Sequence, residues 1–202
     1  MMLATGHMIG LAALAAAQTS APPAPAPYPV REVLTAFATA CSGVEHPAVA
    51  KASALAAGWR PLPAGDNGQL RKLVAIGKAQ VAEGDPNITL LPGEEFSMTV
   101  AGRALALALS GIDFGSLRSY GCRMYDFSAT AALSADDLEG WAVRKPRRED
   151  DDSLVKFIWE PGMKPGHHQM EISFVPQGAL ADTDIPLSGL VFVASAMEFV
   201  EQ

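Results

Sequence analysis

Two hydrophobic periods divide this chain. From Val30 to Ala82 the apolar residues recur at helical spacing, and from Phe96 onward they alternate with polar residues at a period of two. Val30, Val33, Leu34, Phe37, Ala38 and Cys41 share one face of a first helix over Val30–Cys41. A second helix is predicted over Pro47–Ala57. Proline suits its first position, Gly58 supplies a left-handed stop and Pro61 prevents continuation. A third is predicted over Asn67–Ala82. Asp66 and Gln69 form a capping-box-like start, and Leu70, Leu73, Val74 and Val81 form its apolar stripe.

Strand signals follow. Phe96, Met98 and Val100 alternate with Ser97 and Thr99, Ala101-Gly102 reads as a turn, and Leu105, Leu107 and Leu109 alternate with alanines. Gly111–Gly121 reads as a loop and Tyr120–Phe127 as a strand. Ser134 with Asp137 opens a short helix carrying Leu138 and Trp141. Lys145–Asp152 reads as a charged loop. Val155, Phe157 and Trp159 share one strand face, and Met170, Ile172 and Phe174 share another, with the breaker-rich turn Pro161–Gly166 between them. A last strand is expected over about Ser188–Ala194, running on toward Val200. The order ααα-βββ-α-βββ predicts an α+β fold, with the N-terminal helices packed on one face of a largely antiparallel sheet. The other face carries Thr99, Arg123, Tyr125, Lys156 and Glu171 and is expected to meet solvent or a partner.

The first thirty residues change the picture. Met8–Ala17 is an apolar run too short to span a bilayer, and Ala15-Ala16-Ala17 before Gln18 supplies a small-x-small cleavage pattern. Residues 1–17 therefore read as a signal peptide, although its start carries His7 and no Lys or Arg. Residues 18–30 are a Pro/Ala-rich linker, and 31–202 form a single domain. The expected address is periplasmic or extracellular. In that setting Cys41 on a helix face and Cys122 on a strand face, 81 positions apart, most simply form a disulfide; two buried free thiols are the alternative. No C-x-x-C is present, so neither a metal cluster nor a redox motif is expected.

The chain has 202 residues, 49% of them hydrophobic, and a net charge of −7. That suits one good core. An acidic chain without a basic stripe argues against nucleic acid as a partner. Candidate chemistry is sparse. His167-His168 beside a turn could serve as base or ligand, with a carboxylate from Asp150–Asp152 as partner. Adjacent strand residues point to opposite faces, however, so both histidines cannot readily serve one ion. The acidic run after Arg147-Arg148 lacks the alternating ligands and glycine of a calcium loop. No G-x-S-x-G, S-x-x-K, G-x-G-x-x-G or phosphate loop occurs, and no cofactor is expected.

Phe37-x-x-x-Cys41, Gly58-Trp59 closing a helix, and Gly121-Cys122-Arg123 opening a strand resemble small exported bacterial proteins of unknown function. The resemblance implies a secreted α+β domain with one disulfide and brings no activity. Three readings stay open. The first is a non-enzymatic domain that binds a protein or a small molecule. The second is a hydrolase using His167 or His168 with Asp150 or a neighbour. The third is an assembly subunit, such as a homodimer, pairing through an edge strand, with the last strand as candidate.

Overall fold

The computed structural model describes residues 27–66, 68–85, 87–151 and 154–200. The expected signal peptide, and the linker up to residue 26, lie outside these.

The α+β expectation is overturned. The described residues form one eight-stranded, wholly antiparallel sheet in the order β1-β2-β3-β4-β8-β7-β6-β5, accompanied by four short helices. The elements are α1 (Val30–Ala40), α2 (Pro47–Ala56), β1 (Arg60–Pro61), α3 (Gln69–Gly84), β2 (Thr89–Val100), β3 (Arg103–Asp113), β4 (Leu117–Asp126), α4 (Ala135–Glu139), β5 (Arg147–Asp151), β6 (Leu154–Trp159), β7 (Gln169–Val175) and β8 (Gly189–Phe199).

Three physical causes account for the difference. Gly111–Gly121 is not a loop: Ile112 and Asp113 pair with Ser119 and Arg118, so the ladder runs nearly to the tip of the β3–β4 hairpin. The Arg118 guanidinium donates to Asp113 across that pair, so the polar residues there are strand partners. Lys145–Asp152 is not a loop either. Its core is β5, an edge strand whose residues are all exposed and which therefore needs no apolar face. Finally, the helices do not share a face. Val33, Leu34 and Phe37 of α1 and Ala50 and Ala54 of α2 pack with Leu105, Leu107, Cys122, Met124, Ile172 and Phe192. Leu70, Leu73 and Val74 of α3 instead lie with Ala108, Tyr125 and Val191 on the reverse side. The β3–β4–β8 region is apolar on both faces, which is why it attracts helices to both.

Local signals were sharper than the global one. Ala101 and Gly102 both have positive φ, 46° and 81°, and join β2 to β3 as a two-residue turn between paired Val100 and Arg103. Gly58 ends α2 at φ 92°. Ser134 and Asp137 form the reciprocal capping box of α4. At α3, by contrast, Gly68 is the N-cap and makes no side-chain cap, while Asp66 Oδ1 accepts from the Gly68 N–H in a tight local turn at 2.7 Å.

The main core lies under α1 and α2. Phe37 meets Phe192 and Trp141, and Trp141 meets Trp159 edge-on. Cys41 and Cys122 are joined as a disulfide, both fully buried, with Cα atoms 5.6 Å apart. It ties the end of α1 to the middle of β4. No helix among the described residues is long and apolar enough to cross a membrane.

Candidate functional site

The reverse face of the sheet holds a groove that its helix does not fill. α3 has sixteen residues, yet only Leu70 is buried. Its first turns are pinned: Gln69 donates to the Pro186 carbonyl, and Arg71 donates to the Leu62 and Pro63 carbonyls while pairing with Glu95. Further along, Leu73 and Val74 pack in part against the sheet, while Gly77 and Val81 line an open space beside it. Apart from its own helix backbone, Gly77 has no heavy atom within 4 Å of where a Cβ would stand. Opposite them the strands present Ala108, Tyr125, Val191 and Val193. A space of about 380 Å³ remains between helix and sheet, within the usual range for a small-molecule site.

Polar groups enter this apolar groove at few points. Arg123 reaches in from β4 and donates to Ser110 Oγ at 2.9 Å. Gly121, two residues earlier on the same face, makes this possible. A Cβ there would stand 2.6 Å from Arg123 Nη1 and 3.1 Å from Ser110 Oγ. The guanidinium thus lies over a gap that the missing side chain provides. Lys78 lines the groove from α3. Among the described residues neither Arg123 nor Lys78 pairs with a carboxylate, whereas Glu95 is already engaged by Arg71. Tyr125 stacks on Phe127 at 5.2 Å, and burial pushes its phenol upward against the opposing effect of Arg123, so it stays neutral. The groove therefore has apolar walls and two uncompensated cations.

Two other cavities are less suited to an organic ligand. One of about 250 Å³ lies beneath α2, between Ala50, Leu91, Leu109 and Tyr120. Its charged lining residues, Lys51 and Glu94, pair with each other. A smaller one of about 190 Å³ lies between the end of α1 and the loop before β7, lined by Phe37, Cys41, Trp141, Met163, His167 and Met170 among others.

The histidines expected from sequence part company. His167 is buried, with neither ring nitrogen hydrogen-bonded among the described residues. Burial lowers its pKa; Glu45 and the Ser42 backbone pull the other way, and Lys164 adds to the lowering. His168 is exposed, and its backbone N–H donates to the Ser195 carbonyl at 2.7 Å. Asp150 is exposed on β5 and pairs with Arg148 at 2.7 Å. Through the register Asp150↔Val155↔Phe174 it stands about 20 Å along the strand direction from His168. The structure brings neither histidine to Asp150. The carboxylate near His167 is Glu45, which sequence reasoning passed over. Nor is β8 an edge: it lies between β4 and β7, and the edges are β1 and the charged β5. Charge at such an edge discourages strand pairing.

Arg123 was placed on the correct face from sequence, yet its role was not. The signal was Gly121-Cys122-Arg123, in which a glycine shares a strand face with an arginine two residues on. No protein-family model, no curated protein and no solved structure matches the chain. The resemblance to small exported bacterial proteins rests on its short motifs alone.

Proposed function

We propose that this chain is a non-enzymatic binding domain of an exported protein, and that its ligand is a small amphiphile with an apolar body and an anionic head. The observation that carries this reading is the half-filled groove between α3 and the sheet. Apolar walls favour the body of such a molecule by roughly 25 cal/mol for each Å² of apolar surface removed from water. Arg123 and Lys78 supply the charge that the head requires, and the planar guanidinium suits a carboxylate or phosphate through paired hydrogen bonds. The ligand lies along Val81, Ala108 and Val193, with its head toward Arg123. The buried disulfide supports the exported address.

The test is a thermal-shift and calorimetric series on the oxidised protein. Alkyl carboxylates, alcohols and trimethylammonium compounds of matched chain length are compared. Ligands that bind only the folded state raise Tm in proportion to the logarithm of their concentration. The carboxylate is expected to bind tightest and the ammonium weakest, and Arg123→Ala is expected to remove the difference. Equal binding of all three head groups, or binding of none, would overturn the reading.

A further inference from the structure

We infer that the cavity between α1 and the loop before β7 is a site for a soft monovalent metal ion, Cu(I), held by Met163, His167 and Met170. The three donors fall within eight residues, in the order Met-x-x-x-His-x-x-Met. The loop folds them back over one cavity of about 190 Å³. Gly166, at φ 82°, turns the chain, and Gly162 packs so closely that a Cβ there would meet that of His167 at 2.4 Å. The site is thus set by a tight loop and the start of a strand.

Several observations converge on the class of ion. His167 is 7% exposed, and neither ring nitrogen makes a hydrogen bond of good geometry among the described residues, the Ser42 backbone and Glu45 being the polar groups that act on it. A buried imidazole ordinarily spends one nitrogen on a donor bond and the other on an acceptor. Two thioethers and an imidazole are soft to borderline ligands, and thioethers select Cu(I) over zinc, calcium or magnesium. A structural zinc site would want four donors, with thiolates or further histidines among them. Cys41 also lines the cavity, but its sulfur is committed to Cys122. Trp141 adds an aromatic wall, which favours a cation. The cation on Lys164 opposes one, yet its ammonium is held by the Ala38 carbonyl at 3.0 Å. Glu45, beside His167, offsets it further.

Binding is measured on the full, oxidised protein under anaerobic conditions, with Cu(I) kept reduced by ascorbate and partitioned against bicinchoninate. Ag(I), which needs no reductant, is titrated in parallel and followed by tryptophan fluorescence. One equivalent of each ion is expected to bind, with quenching from Trp141, and Zn(II) is expected not to bind. Met163→Leu and Met170→Leu keep the side-chain volume and are each expected to weaken binding by about tenfold or more, while His168→Ala leaves it unchanged. Retention of no metal would overturn the assignment. So would wild-type affinity in both leucine variants, because the ion would then sit elsewhere. The leucine variants also decide the matter if His167→Ala fails to fold.

Discussion

Arg103 holds the fully buried carboxylate of Asp126 with two hydrogen bonds, Nε to Oδ2 at 2.8 Å and Nη2 to Oδ1 at 2.9 Å. Tyr28 donates to the same carboxylate at 3.0 Å, and the Arg103 guanidinium lies 5.3 Å from the centre of the Tyr28 ring. Ser128 donates to it through both its hydroxyl and its backbone N–H. The cluster fastens the residues just before α1 to the ends of β3 and β4.

This pair contributes to stability against acid. Burial alone would raise the Asp126 pKa, but the bonds from Arg103, Ser128 and Tyr28 together outweigh it and hold the group below its ordinary value. A depressed folded-state pKa contributes stability that is complete above the unfolded value of about 3.9 and is lost as pH falls through the lower folded one. Urea denaturation from pH 7 to pH 2.5 should therefore show stability falling below about pH 4. Asp126→Asn should flatten that fall and cost about 1.5–3 kcal/mol at neutral pH. The Tyr28 phenol is shifted the other way, upward, mainly by burial and then by Asp126. Its contribution is complete below about pH 10 and is lost above it, and Tyr28→Phe should flatten the alkaline limb.

The β2–β3 turn leaves stability to be gained. Ala101 has φ 46°, a left-handed conformation that costs a side chain bearing a Cβ about 1 kcal/mol. Asn-Gly is the preferred pair for such a turn. Ala101→Asn should raise the unfolding free energy by about 0.5–1 kcal/mol with no change in m-value, read by urea titration.

Gly121 tests whether Arg123 is placed for a ligand. A methyl group there displaces the flexible end of the arginine and presses on Ser110 Oγ, leaving the backbone ladder in place. Gly121→Ala should therefore change stability by less than about 1 kcal/mol. It should weaken binding of an anionic amphiphile almost as much as Arg123→Ala does, by about tenfold. Calorimetry reads the binding and thermal denaturation the stability; a large loss of Tm with intact affinity would refute the arrangement.

The disulfide closes a long stretch of chain, its cysteines standing 81 positions apart. On a chain-entropy basis its removal should cost about 4–5 kcal/mol. Paired replacement Cys41→Ala and Cys122→Ala, measured by denaturation against the oxidised parent, checks this. A cost below about 1 kcal/mol would mean that the α1–β4 packing suffices unaided.

What could be read from the sequence followed the range of the forces involved. Turns and caps depend on neighbours a few residues apart, so Ala101-Gly102, Gly58 and Ser134–Asp137 were legible. The pairing of Cys41 with Cys122 was legible because just two cysteines occur. The strand character of Arg147–Asp151 was not, because an exposed edge strand gains its structure from the hydrogen bonds of β6 and shows no apolar alternation. The same limit hid the side on which α3 packs. Leu70, Leu73 and Val74 mark an amphipathic helix but not which sheet face receives it. His167 was noticed without its surroundings, since Phe37, Glu45 and Trp141 come from three separate stretches of chain.

The position of β8 has a consequence for how the molecule is made. Its neighbours are β4 on one side and β7 on the other, and nothing else bridges β2–β4 to β5–β7 within the sheet. Without residues 189–199 the sheet would fall into two ribbons, β1–β4 and β5–β7, that share no ladder, each with an unpaired inner border. Stop codons or proteolytic clipping upstream of Gly189 would strand both halves in that sticky condition, whereas delivery of the whole chain unfolded across a membrane would let the final segment zip them together in one step.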